Sequence, residues 1–164
     1  MPDRVKIEKT LTLSAAWARN TQYTLDYRFR DGRRERLIRE VHDHGSGAAV
    51  LPHDPSRNTV LLVRQFRLPV HLAGRGDDTL EACAGLLEGD DAERCVRKEA
   101  EEELGYRLHN LRQVARTFMT PGAVTEELTM FLAEYGPGDR VADGGGAAHE
   151  HEDIEVVEMS FDEA

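Results

Sequence analysis

The 164-residue chain carries 31 acidic against 21 basic side chains, a net charge of −10. A balance that negative excludes a nucleic-acid backbone as the main partner, and no apolar run is long enough to span a bilayer or form a signal-peptide core. The length suits one domain burying roughly 68–70% of its unfolded surface, and a cytoplasmic location is the default expectation.

Residues 4–13 alternate loosely and predict a strand. Tyr23–Phe29 and Arg34–Val41 predict two more, joined by a two-residue hairpin at Asp31-Gly32. All three are polar and charged on both faces, and a free sheet of this kind presents an unprotected edge. A second copy of the chain would cover it, which predicts a homodimer through residues 1–44. Trp17, between the first two strands, is expected to anchor packing.

Gly45–Gly47 breaks the chain, and its character then changes. Ala48–Leu51 and Thr59–Phe66 are apolar, β-branched runs suited to central strands, with His53–Asn58 as turn chemistry and His53 as a surface loop residue. Arg67, just past the second run, has a fork that could grip a diphosphate, although an ordinary surface arginine needs no ligand. Leu72–Asp78 reads as a flexible loop and Thr79–Cys83 as one strand, with Glu81 held by an arginine from the 64–67 run. Cys83 and Cys95 lack CxxC spacing and zinc-like histidines, so they read as small buried residues.

Residues 84–106 form a glycine-containing loop and an acid-rich helix. Asp90 is the expected N-cap, with Glu93 completing a capping box. Ala92, Val96, Ala100 and Leu104 recur every fourth residue and predict a narrow apolar face beside Cys95. Gly105 stops the helix. Glu99 and Glu103 lie one turn apart with Glu102 beside them, and such like charges repel by about 0.2–0.5 kcal/mol per pair. A hard divalent cation would remove the repulsion; a solvated face with Lys98–Glu102 and Arg97–Glu101 pairs would also ease it.

Leu111–Phe118 and Glu127–Tyr135 predict strands around Thr120–Glu126, a Pro-Gly turn placed where strands open onto a site. Asp139–Ala148 is glycine-rich and expected to be mobile. His149 and His151 alternate with Glu150 and Glu152, a spacing that suits zinc poorly and reads instead as an acidic loop folding over the site. Ile154–Met159 predicts a last strand. Ser160 and Glu163 form a second capping box for a helix that the chain does not contain, so a C-terminal helix is expected to be missing.

Gly85, Lys98-Glu99, Glu102-Glu103 and Gly105 together resemble the Nudix box, the signature of the Nudix hydrolase superfamily. Lys98 stands where the pattern has arginine, keeping the charge but losing the fork. The segment from Gly85 to Lys98 is one residue short, so the pattern's first acid falls on Asp90 or Asp91. With VLLVRQFR (residues 60–67), EACAGLLE (81–88), TPGAVTE (120–126) and EDIEV (152–156), the chain is similar to the nucleoside-diphosphate-sugar branch. The resemblance implies an α+β Nudix fold, a mixed β-sheet sandwiched by helices with an N-terminal antiparallel extension. Residues 1–44 would dimerise and 45–164 would be catalytic. It implies Mg²⁺-dependent hydrolysis, with Mn²⁺ as the alternative metal, of the diphosphate bridge of a nucleotide sugar. GDP-mannose is the leading substrate, ADP-ribose or another nucleoside-diphosphate sugar the second, and a non-catalytic nucleotide-sugar sensor the third reading. Glu99, Glu103, Glu152 and the Ala84 carbonyl would ligate metal. Glu102 would hold a further metal or a water, and Glu102 or Glu152 would be the general base. Arg67 would contact the diphosphate, with Arg39 and Glu126 as further substrate contacts.

Overall fold

The structure, a computed structural model, describes residues 4–147 and 152–164. They fall into two compact units, one drawn from Met1–Ser46 and Phe118–Glu127, the other from Gly47–Thr117 and Leu128–Ala164.

The first unit is an antiparallel meander of β1 (Val5–Ala15), β2 (Arg19–Arg28) and β3 (Arg34–Asp43). Its first hairpin register is interrupted between Ile7 and Lys9 and between Thr12 and Ser14. The turn between β2 and β3 is wider than the Asp31-Gly32 dipeptide suggested. Phe29 N–H donates to Arg33 O at 2.8 Å, which leaves Arg30-Asp31-Gly32 as a three-residue loop. Asp31 accepts from Arg33 N–H, and Gly32 takes the left-handed conformation at φ 90°, the usual chemistry of a three-residue hairpin. Every residue of β1 is exposed. Trp17 is not the expected packing anchor: it is 75% exposed and stacks on His44 at 5.4 Å. The 118–127 segment is bonded to the end of β3, with His42 N–H donating to Ala123 O and Thr125 N–H to His42 O.

The second unit is a seven-stranded mixed sheet. β4 (Gly47–Asp54), β5 (Thr59–Phe66), β6 (Asp78–Glu81), β7 (Cys83–Leu86), β8 (His109–Phe118), β9 (Glu127–Glu134) and β10 (Ile154–Ser160) build it, with spatial order β10-β5-β4-β9-β8. β4 and β9 pair in parallel, and β4–β5, β4–β7, β5–β6 and β5–β10 pair antiparallel. β4 and β5 pair at their turn end, His53 with Val60 and Asp54 with Thr59. Farther along, the partner positions are taken by other strands: β6 pairs with β5 and β7 with β4. The single strand expected over Thr79–Cys83 is therefore two short strands that change partner at Ala82. His53 belongs to β4 rather than to a loop, and its ring bonds Ala133 O at 2.7 Å.

Among the described residues the helices are few. The five-residue α1 (Leu68–Leu72) follows Arg67, and α2 (Ala92–Glu99) runs into a π-helical turn, Ala100–Leu104. α2 buries Cys95 and Val96, and the π-turn buries Ala100 and Leu104. All four join Val50, Val63 and Phe131 in the core. None of the helices is long and apolar enough to cross a membrane. The expected pairing of Ser160 with Glu163 is present, with Ser160 N–H and Oγ–H both donating to Glu163.

Candidate active site

The acid-rich helix is set in place from both ends. At its start Asp91, not Asp90, is the N-cap: its carboxylate accepts from Arg94 N–H at 3.0 Å. The shift by one residue takes Glu93 out of capping-box position and leaves it paired with Arg97 at 2.8 Å. Arg97 also donates to Leu108 O, so it does not serve Glu101, which faces Arg107 instead. At the other end Gly105, at φ 78°, and Tyr106 both donate to Ala100 O. A side chain at Gly105 would collide with Ala142 O and Gly144 N.

That collision marks the loop expected to be mobile as a docked strap. Val141 and Ala142 N–H donate to Gly105 O, Gly145 N–H to Glu103 O at 2.9 Å, and Gly146 N–H to Glu102 O at 3.1 Å. The last carbonyls of a helix lack partners of their own, and here the strap supplies them. Gly144, Gly145 and Gly146 all have positive φ. A run of three glycines signals mobility by composition, but it is also what a backbone needs to approach another backbone closely. His149, Glu150 and His151 lie outside the described residues.

Three glutamates gather at this end of the sheet. Glu103 is 2% exposed, and its carboxylate accepts from Ala84 N–H at 3.3 Å and from the Cys83 thiol. Burial first, and then the charges of Glu99 and Glu152, push its pKa up to about 7. Glu99 packs on Gly85, where any Cβ would overlap its side chain. Lys98 stands 3.7 Å from Glu99 and 3.1 Å from Glu102, so the Lys98–Glu102 pair read from the sequence is present. Glu152 accepts from Ala147 N–H at 3.0 Å. Arg67 grips Glu81 in two parallel bonds of 2.9 and 2.7 Å, as the arginine expected to hold Glu81. The charges of Glu81, Glu103 and Glu152 all help to raise the Arg67 pKa, the bond to Glu81 most of all. Two of its five N–H donors are used on Glu81, leaving three for another ligand.

Glu99, Glu102, Glu103, Glu152, Ala84 and Arg67 thus belong to one unit. Arg39 and Glu126 belong to the other, where Arg39 lies on β3 opposite Tyr23 and donates to Ile38 O. The two thiols are inert in this setting. Burial pushes the Cys83 thiol well above its ordinary range and the Cys95 thiol to about 11.

The donor set suits a hard divalent cation, because it is made of carboxylate and backbone oxygen around a buried acid that neighbouring acids destabilise. No three acidic, histidine or cysteine side chains among the described residues already stand at ligand geometry. Glu99 and Glu102 instead face Lys98, and Glu152 rests on Ala147 N–H. Sequence reasoning missed the strap, the contact of Gly85 with Glu99 and the thiol beside Glu103. Of these only the Gly144–Gly146 run left a visible mark.

Residues 43–164 match the NUDIX domain family, and residues 4–42 match the family described as GDP-mannose pyrophosphatase NudK N-terminal domain. A protein of Yersinia pestis (strain Pestoides F) called GDP-mannose pyrophosphatase is 42% identical over 98% of this chain and 81% of its own. Proteins of the same name from Yersinia enterocolitica (43%, covering 98% and 84%) and Pectobacterium atrosepticum (45%, covering 96% and 81%) are similarly close.

Proposed function

The chain belongs to the NUDIX domain family, and on that premise we propose that it hydrolyses GDP-mannose to GMP and mannose 1-phosphate. The observation that carries this reading is the buried Glu103 carboxylate, which feels the negative charges of Glu99 and Glu152 and interacts with the Arg67 cation. The substrate is supported by the names of the relatives and by the match of residues 4–42.

Glu99, Glu103, Glu152 and the Ala84 carbonyl would hold the divalent metal, which we read as Mg²⁺. When bound, it supplies positive charge that neutralises the diphosphate and favours a nucleophilic water. Arg67, locked by Glu81, directs its remaining donors to the diphosphate oxygens. Water oxygen bonds to one phosphorus, the bridging P–O bond breaks, and the bridging oxygen leaves on the other phosphate. The proton shed by the water passes to Glu152 or Glu102. Arg39 and Glu126 are further substrate contacts in this reading. The four large apolar positions Val5, Ile7, Leu11 and Leu13 on fully exposed β1 support a homodimer made through the N-terminal strands. Two free, buried cysteines suit a reducing compartment, and we place the enzyme in the cytoplasm.

The deciding experiment is a parallel hydrolysis screen of GDP-mannose, ADP-ribose, UDP-glucose and diadenosine polyphosphates with Mg²⁺. GDP-mannose is expected to be cleaved fastest, and a preference for ADP-ribose would replace the substrate while keeping the chemistry. Glu103→Gln is expected to lower turnover by a factor on the order of 100 or more, with an unchanged circular dichroism spectrum. Wild-type turnover in that variant, or in excess EDTA, would remove the metal site.

A further inference from the structure

The strap does more than cap a helix. It fastens to the box helix at Glu102 O and Glu103 O through the amides of Gly146 and Gly145, and the next two groups along it touch Glu152. A Cβ on Gly146 would lie 2.5 Å from Glu152 Oε2 and 2.6 Å from Glu152 Cβ. The second of these atoms cannot swing away without moving the backbone. Ala147 N–H donates to the same Oε2 at 3.0 Å. A carboxylate from the end of the chain is thus indexed against the helix that carries Glu99 and Glu103.

We propose that Gly146 and the Ala147 amide are a positioning pair for Glu152, and that through them the strap sets this carboxylate's place relative to Glu103. The proposal rests on the reading of Glu152 as a metal-site residue. It assigns Gly146 a role that its neighbour Gly145 does not share. Both have positive φ, 86° and 103°, so alanine is strained at either position. At Gly145, however, the added Cβ would meet only Ile154 O among the described residues, at 3.7 Å. Gly145→Ala therefore measures backbone strain, and Gly146→Ala measures strain together with displacement of Glu152 and a lighter crowding of Ile154 Cδ1 at 3.1 Å.

The test compares Gly146→Ala, Gly145→Ala and Glu152→Gln with the wild-type protein. Mn²⁺ affinity without substrate is read by water-proton relaxation, kcat and KM with GDP-mannose, and the melting temperature of each variant. Groups that orient ligands typically contribute 10- to 100-fold to metal affinity. Gly146→Ala and Glu152→Gln are expected to weaken Mn²⁺ binding by about 10-fold or more and to lower kcat, with melting of Gly146→Ala close to that of Gly145→Ala. Equal Mn²⁺ affinity in the two glycine variants, with a loss in Glu152→Gln, overturns the positioning role alone. Wild-type behaviour of Glu152→Gln removes Glu152 from the site, and the proposal with it. If Gly146→Ala does not fold, the Ala147 amide proton decides instead. Its resonance is expected to move upfield in Glu152→Gln, and an unmoved resonance overturns the contact.

Discussion

Glu103 shows how one buried acid links metal, pH and stability. Its pKa is held near 7 by burial and by Glu99 and Glu152, whereas in an unfolded chain it titrates near 4.3. Folding without metal therefore takes up a proton between these values. The stability this group contributes is complete below about pH 4.3 and is lost as the pH rises through about 7, by roughly 4 kcal/mol at most. The metal-free protein is expected to melt at progressively lower temperature from pH 5 to 7.5. Glu103→Gln, neutral throughout, should flatten that slope, and so should a saturating divalent cation. Differential scanning calorimetry in EDTA checks it, and equal slopes in both proteins would contradict the assignment. Asp54 acts with the opposite sign. Its bonds from Ser56 and then Arg57 hold its carboxyl well below the usual range, so its contribution is present above about pH 4 and is lost on acidification.

The box helix shows where an element could and could not be read from its sequence. Asp91→Ala is expected to destabilise the protein by about 1 kcal/mol, since the cap satisfies a helix-end amide. Asp90→Ala should cost well under half of that, because Asp90 makes only a 3.5 Å surface pair with Arg94. Urea titrations of the two variants distinguish them. The sequence allowed either acid; Asp90 N–H closes the preceding turn on Leu87 O, and the helix starts one residue later with Asp91 as its cap. The apolar repeat at 92, 96, 100 and 104 was legible because burial selects it. Its steady spacing of four exceeds the 3.6 of an α-helix, and the π-turn at Ala100–Leu104 absorbs part of that excess. The presence of most strands was legible from alternation and turns, but their order in the sheet and the change of partner at Ala82 were not, because pairing depends on chain far away in sequence. Glu99, Glu103 and Glu152 were readable through family likeness. The strap that brings Glu152 near the others was hidden in a composition that usually means mobility.

At the scale of the whole molecule, the two units differ in how their apolar residues are covered. The register of the first sets Ile7, Leu25 and Leu37 side by side across three strands, and Ile7 is 50% exposed. If a second copy covers these strands, sedimentation velocity at micromolar concentration will show a dimer, and Ile7→Glu will shift it towards monomer. A monomeric wild-type protein would contradict this arrangement. The second unit holds the residues proposed to bind metal, and its sheet constrains the sequence of events in folding. The run from Asp78 to Leu86 fills the space left where β4 and β5 part, bonding one strand with its first half and the other with its second. It cannot find both partners until their hairpin exists, and local hairpins close faster than pairings between distant segments. Glu81, Ala84 and Gly85 therefore reach their places after that hairpin has formed. Weakening β7, for instance by Cys83→Ser, should speed unfolding far more than it slows refolding, which stopped-flow denaturant jumps would read directly. The strand that lies against Glu99 and Glu103 is in this sense laid down only once the hairpin that receives it has closed.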